Sequence, residues 1–258
     1  MKRVLTIAGS DSGGGAGIEA DIKTITALGA YGCTAITAVT AQNTLGVAGV
    51  HPLPAEFVAL AIKTVLDDIG ADAVKLGMLA NEAIIRAVAG ALPTNITLVL
   101  DPVMVATSGA VLLEEGAIEA MRQLLLPRAT LVTPNLPEAQ KLTGMPVGTE
   151  AERIAAGRAL LAMGAQAVLI KGGNGGEDML TDYLITADML EAISLPRIET
   201  RNTHGTGCTM ASAIATSLAQ GMTMLDAVHR ARNYLQEAIR TAPGFGAGHG
   251  PVNHLVRA

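Results

Sequence analysis

The sequence predicts an α/β protein: a three-layer α/β/α sandwich with a mainly parallel central sheet, in a single domain over residues 1–258. Three observations carry this expectation. Short β-rich apolar runs alternate with helical patterns along the chain, the signature of βαβ units around a parallel sheet. The 258 residues are 50% hydrophobic, enough to bury a sizeable core. No linker, repeat or low-complexity segment interrupts the alternation.

The elements follow in order. Strands are expected at 4–8 (VLTIA), 34–40 (TAITAVT), 73–77 (AVKLG), 97–100 (TLVL), 130–133 (TLVT) and 167–170 (AVLI), each rich in β-branched or apolar residues. A closely spaced late set at 179–185, 188–193 and 197–200 reads as antiparallel. Helices lie between them, because Ile18, Ile22, Ile25 and Leu28 recur at helical spacing, as do Phe57, Ala61 and Val65, and Ile118, Met121 and Leu125. Gly29, Gly70, Gly144, Gly164 and Gly221 stand where helices should stop. The last helix carries an apolar stripe of Leu225, Val228, Leu235 and Ile239 with Arg232 on it. That arginine needs an anionic partner, either a structural carboxylate or a ligand.

Composition narrows the function. Aromatic residues make up 2% of the chain and there is no Trp, so stacking platforms for single-stranded nucleic acid are not expected. The formal net charge is -5, and no Lys/Arg cluster is present to meet a nucleic-acid backbone or an anionic membrane. Small-molecule chemistry in a cytoplasmic protein is the expectation. Cys33 and Cys208 make neither a disulfide framework nor a metal spacing, and no apolar run approaches a membrane span.

In open α/β sheets ligands collect beyond the carboxyl ends of the strands. Gly9-Ser10-Asp11, Gln42-Asn43, Gly77-Met78, Asp101-Pro102, Thr133-Pro134-Asn135 and Lys171-Gly172-Gly173 all follow predicted strands, so they should line one edge. Each alone is an ordinary turn composition. Together they supply carboxylates, amides, a lysine and glycines, which phosphoryl transfer requires. The run GGGAG at 13–17 lacks the G-x-G-x-x-G spacing, and no Walker A pattern occurs.

The stretch NTHGTGCT at 202–209 precedes a helix of small residues closed by Gly221. Gly205, Thr206 and Gly207 form an anion cradle there, with backbone N–H groups converging at a helix start. A thiol in the first turn has its pKa lowered by the helix dipole, which makes Cys208 a candidate thiolate base. The alternative is that it packs as a small apolar residue, as Cys33 is expected to do in its strand. His204 is open in the same way, capping the loop or moving protons.

Taken together, AGSDSGGGAGIEAD, TAQNT, DPVMVA, TPNLPEA, KGG and NTHGTGCT, in this order and extending to GHGPVNH, resemble the hydroxymethylpyrimidine and phosphomethylpyrimidine kinases of the ribokinase-like superfamily. The resemblance implies ATP- and Mg2+-dependent phosphorylation of 4-amino-5-hydroxymethyl-2-methylpyrimidine and then of its monophosphate, for thiamine synthesis, by a homodimer. It implies that Cys208 is the base and Gln42 the pyrimidine-binding amide, with Gly9, Asp21 and Met78 near the ring. Asn135 and Glu138 match an N-x-x-E motif that organises magnesium and phosphate, with Asp101 near the transferred group as a further metal and catalytic residue. Lys171 is expected to stabilise the phosphates, and Thr133 and Arg232 to face the nucleotide. Departures from the pattern are Glu19 for Gln, ATSGA at 106–110 for AKSGD, Asn174 for His and Arg232 for Lys. Those at Thr107 and Ala110 alter charge near the site and bear on the second phosphorylation. Pyridoxal or pyridoxine phosphorylation is the neighbouring alternative. A non-catalytic pyrimidine or nucleotide sensor is the other, disfavoured because a sensor needs neither Cys208 nor Glu138.

Overall fold

Nine strands hydrogen-bond into one sheet in the order β3-β2-β1-β4-β5-β6-β7-β8-β9. They are β1 (Arg3–Asp11), β2 (Tyr31–Asn43), β3 (Gly46–Pro52), β4 (Ala73–Leu76), β5 (Thr97–Leu100), β6 (Leu131–Val132), β7 (Ala167–Ile170), β8 (Met179–Thr186) and β9 (Leu190–Pro196) in this computed structural model. The structure describes residues 1–106, 109–114, 116–172 and 178–256. The departures at Thr107 and Asn174, and Gly173, lie outside them.

β2, β1, β4, β5, β6 and β7 run parallel, and β3, β8 and β9 are antiparallel to their neighbours. The parallel strands β4 and β7 are buried at every residue, as sheets covered on both faces demand. Helices α1 (Gly17–Ala27), α7 (Thr206–Ala219) and α8 (Met224–Arg240) close one face. The other face is covered by α2 (Ala55–Asp68), α3 (Glu82–Ala91), α4 (Ala117–Leu124), α5 (Leu136–Thr143) and α6 (Glu150–Ala162). Gly29, Gly70, Gly144, Gly164 and Gly221 all adopt positive φ.

Three expectations need correction. β3 lacks a strong sequence signal, because GVAGVHP is an exposed edge strand without a buried face. Residues 197–200 are not a strand; one strand, β9, spans 190–196 across the gap left between the two expected there. Phe57 is exposed, and α2 turns Val58 and Ile62 to the core instead, so the stripe through Phe57 and Ala61 is displaced by one residue.

α7 is almost wholly buried and built from Ala, Ser, Thr and Gly with a few larger side chains. It contacts β1, β4, β5, α1 and α8, and small residues let its backbone lie close to all of them. That position puts its first turn at the carboxyl ends of the central strands.

Candidate active site

A crevice of about 810 Å3 runs along the carboxyl edge of the sheet. Gly9, Gln42, Met78, Asp101, Asn135, Glu138, Lys171, Gly205, Thr206, Gly207, Cys208 and Arg232 all line it. Asp21 and Thr133 do not.

The end formed by β1 and α1 is shaped by close backbone approach. Gly205 caps α7 at φ 80°, and a side chain there would meet the Gly15 carbonyl oxygen. Gly17, at φ +57°, leaves no room between itself and the Gly9 carbonyl oxygen. The run GGGAG thus allows the loop after β1 to lie on the start of α7. Gly205→Ala should cost about 1–2 kcal/mol for the left-handed backbone alone, and more for the clash. Urea unfolding measures the loss, and an unchanged midpoint would contradict the contact.

Asp11 organises this loop. Its carboxylate accepts the N–H groups of Gly13, Gly15 and Ala16 at 2.8–2.9 Å and lies 2.8 Å from His204 Nε2. Burial opposes its ionisation, but the His204 contact and the Gly13 and Ala16 N–H groups prevail and hold the carboxyl below the ordinary aspartate range. Glu19 accepts the Ser10 hydroxyl on one oxygen and the Asp11 N–H on the other, both at 2.7 Å. This departure therefore braces β1 and α1 from outside the crevice.

Gln42 sits where the β2–β3 ladder shifts register between Ala41 and Gln42, a bulge that re-aims a strand side chain. Its amide reaches to 3.1 Å from His204 Nε2. Gly9 and Met78 are in near contact, since a Cβ on Gly9 would stand 2.9 Å from Met78 Sδ.

Cys208 occupies the first turn of α7, half-buried in the crevice wall. The first N–H groups of a helix have no intrahelical acceptors. That of Thr206 turns back to the Thr203 carbonyl at 3.4 Å, leaving those of Gly207 and Cys208 for an incoming anion. The expected thiolate is not the resting state. Burial pushes the Cys208 thiol up to about 11; Lys75 and the Gly17 N–H pull it down, while Asp21 and Asp101 add to the rise. Desolvation and the two carboxylates, which position in a helix does not reveal, set the resting thiol.

Asp21 lies beneath the floor. It is fully buried, with Lys75 Nζ 2.9 Å from both carboxylate oxygens and the hydroxyls of Thr6 and Ser212 donating to it. Occupied by these partners, it holds Lys75 and lies outside the crevice lining, unlike the expected position beside a ring. Lys75, also fully buried, was masked in the sequence by the apolar run AVKLG. Burial opposes its charge, yet Asp21, Cys208 and Asp101 keep its pKa above the usual lysine value.

Past Cys208 the crevice is charged. Lys171 Nζ pairs with Asp101 at 2.9 Å, and the Thr133 hydroxyl donates to the same carboxylate at 3.1 Å from behind it. Thr133 is fully buried and so orients Asp101. A Cβ on Gly207 would stand 3.3 Å from Lys171 Nζ and 3.4 Å from Asp101 Oδ2, so the helix start and the ion pair share one spot. Asn135 and Glu138 form a capping box at the start of α5: each side chain accepts the other's backbone N–H at 2.9 Å. Burial raises Glu138 to about 7, against the pull of Lys171. Among the described residues no group of three or more His, Cys, Asp or Glu could cage a metal. The two carboxylates Asp101 and Glu138 suit magnesium only if phosphates and water complete its shell, which is the usual arrangement for that ion. Arg232 resolves to an ion pair with Asp182 at 3.0 Å, both buried. Asp182, on β8, also accepts the Gly172 N–H at 2.8 Å, and sequence reasoning missed it because its strand alternates poorly.

Comparison with known proteins places these features in context. Residues 11–253 match the family model described as phosphomethylpyrimidine kinase. The chain is 48% identical over 257 residues to the hydroxymethylpyrimidine/phosphomethylpyrimidine kinase of Bacillus subtilis, covering 98% of this chain and 95% of that one. It is 50% identical to the thiamine biosynthesis bifunctional protein ThiED of Geobacter sulfurreducens over 99% of its own length, spanning about half (52%) of that longer relative. The structure of pyridoxal kinase from Staphylococcus aureus in complex with AMP-PCP and pyridoxal superposes with a TM-score of 0.91 at 36% identity, covering 99% of this chain and 94% of that one.

Proposed function

This chain belongs to the phosphomethylpyrimidine kinase family, and from that footing we propose that it transfers the γ-phosphoryl group of ATP to 4-amino-5-hydroxymethyl-2-methylpyrimidine, and then a second to the monophosphate, in thiamine biosynthesis. The observation that supports the reading is one crevice lined by Gly9, Gln42 and Met78, by Cys208, and by Gly207, Lys171 and Asp101, an arrangement in which a ring at the first group and phosphates at the last would flank the cysteine.

The assigned roles follow from that order. As the hydroxymethyl oxygen bonds to phosphorus and the bond to the leaving diphosphate oxygen breaks, the hydroxyl proton passes to the Cys208 sulfur. Lys171 and the free N–H groups of α7 stabilise the charge that builds on the transferred group. Lys75 supports the ionised sulfur from below. Magnesium, when bound with the nucleotide, neutralises phosphate charge, and Asp101 and Glu138 are the residues that would hold it.

The deciding experiment incubates the purified protein with ATP, magnesium and, separately, the pyrimidine alcohol, its monophosphate and pyridoxal, with products resolved by mass. One added phosphoryl group on each pyrimidine is expected. Transfer to pyridoxal alone would favour the second reading, which the pyridoxal-bound structural relative supports. Excess chelator should abolish transfer. Glu138→Gln tests the metal role without sacrificing the cap, because Gln also completes a capping box; turnover should fall by about tenfold or more with the urea midpoint little changed, and full turnover would refute the role.

The free thiols Cys33 and Cys208 support a cytoplasmic setting. Edge strand β3 and helix α2 expose Val50, Phe57 and Leu60, which supports self-association as a homodimer; sedimentation at micromolar concentration tests it.

A further inference from the structure

Gln42, His204 and Asp11 form a contact chain whose polarity is fixed from one end. The Asp11 carboxylate receives three backbone N–H groups and is held ionised, so it can only accept. His204 Nε2, 2.8 Å away, must therefore carry the hydrogen and donate to it. The same Nε2–H stands 3.1 Å from the end of the Gln42 amide. Two donors cannot face each other there, and the oxygen and nitrogen of a side-chain amide are told apart by their partners. The Gln42 oxygen thus belongs against His204, and its NH2 group turns away into the crevice.

We propose that His204, held by Asp11, is a positioning residue that locks the Gln42 amide in this one sense and thereby sets which ring edge the site accepts. The exposed NH2 donates to a ring nitrogen that bears a lone pair. The Gln42 oxygen keeps a second lone pair, which accepts from an exocyclic amino group beside that nitrogen. A 4-aminopyrimidine presents this order of acceptor and donor. Its deaminated counterpart, a 4-oxopyrimidine with N–H and C=O along the same edge, presents the reverse and leaves two groups of the site opposed. A freely rotating glutamine would pair with either ring. The lock therefore separates the amino compound from the product of its hydrolytic deamination.

This inference rests on the pyrimidine-kinase reading above, and the tests keep the two apart. In the uncomplexed protein, nitrogen-15 correlation spectra at neutral pH should show a hydrogen on His204 Nε2. A ring carrying its only hydrogen on Nδ1 overturns the proposal whatever the substrate. Kinetics form the second arm. The ratio of kcat/KM for the amino over the oxo pyrimidine should fall about tenfold or more in His204→Leu, where nothing holds the amide. His204→Gln, whose own NH2 reaches the place of Nε2, should restore the ratio to within about threefold of the starting protein. KM for the oxo compound, falling as the freed amide turns to meet it, should carry most of the change, with KM for the amino compound and kcat altered less. An unchanged ratio in His204→Leu overturns the proposal, as does failure of His204→Gln to restore it. If neither pyrimidine is phosphorylated by the unaltered protein, the functional reading fails, and the tautomer measurement still decides the lock.

Discussion

On the proposed role of Cys208 as base, replacing it with serine should lower turnover by roughly 100-fold or more, the usual scale of general-base catalysis, while ATP and pyrimidine binding stay intact. Serine is nearly isosteric and, as a base, far less able to ionise. The raised resting pKa adds a second expectation. Only the ionised sulfur accepts the substrate proton, and with the thiol near 11 that fraction grows with every step in pH above neutrality. The kcat/KM of the starting protein should therefore climb from pH 7 to 9. Cys208→Asp carries a carboxylate that is already ionised across that range, so its profile should be flat there, at whatever rate the added charge permits. Turnover of the three proteins, with calorimetric binding as control, settles the role. Near-normal turnover in Cys208→Ser would leave the cysteine as packing at the helix start.

Lys75→Met should destabilise the protein by about 3–5 kcal/mol, the cost of leaving a buried charge without its partner. Asp21 would keep only the Thr6 and Ser212 hydroxyls in a fully buried place. Removing both charges, in Asp21→Leu with Lys75→Met, should recover much of that loss, since an apolar pair of similar volume avoids the desolvation cost. Urea midpoints of the two single variants and the double variant give the coupling directly. A loss below about 1 kcal/mol in the single variant would show that water reaches the pair. Even a stable double variant should turn over slowly, because the positive charge of Lys75 favours the ionised form of the Cys208 sulfur.

The strand ends were legible because parallel strands announce themselves as short apolar runs, and the polar residues that follow them are forced to one edge. That logic located Gln42, Met78, Asp101 and Lys171 along the crevice. It failed where a polar residue lies inside an apolar run or where burial is decided by distant neighbours. Lys75 is hidden within AVKLG, and only the fold brings Asp21 from α1 beneath it. Asp182 likewise acquires its meaning from Arg232, which meets it in space although fifty residues separate the two in sequence. The Cys208 ionisation was misread for a related reason. A helix dipole is readable from position in a helix, whereas desolvation by packed neighbours and the nearness of Asp21 and Asp101 are properties of the assembled sheet. Edge strand β3 escaped because exposure on both faces erases the alternation that marks a strand.

The crevice is stitched from parts of the chain that lie far apart. Asp11 meets His204, Asp21 meets Ser212, the Thr44 carbonyl accepts the His249 N–H, and Thr209 meets His254. Such contacts have a high entropic cost of closure and are formed late, since the intervening loops must be ordered before they gain anything. The chain can therefore collapse around its central strands while the pocket is still open. Ligands that bind only the closed pocket would then pull on the last step of folding by mass action, stabilising the protein by an amount that grows with the logarithm of their concentration. Refolding yield should accordingly be more sensitive to added nucleotide and pyrimidine than the early collapse rate, making substrate supply a determinant of how much active protein survives dilution from denaturant.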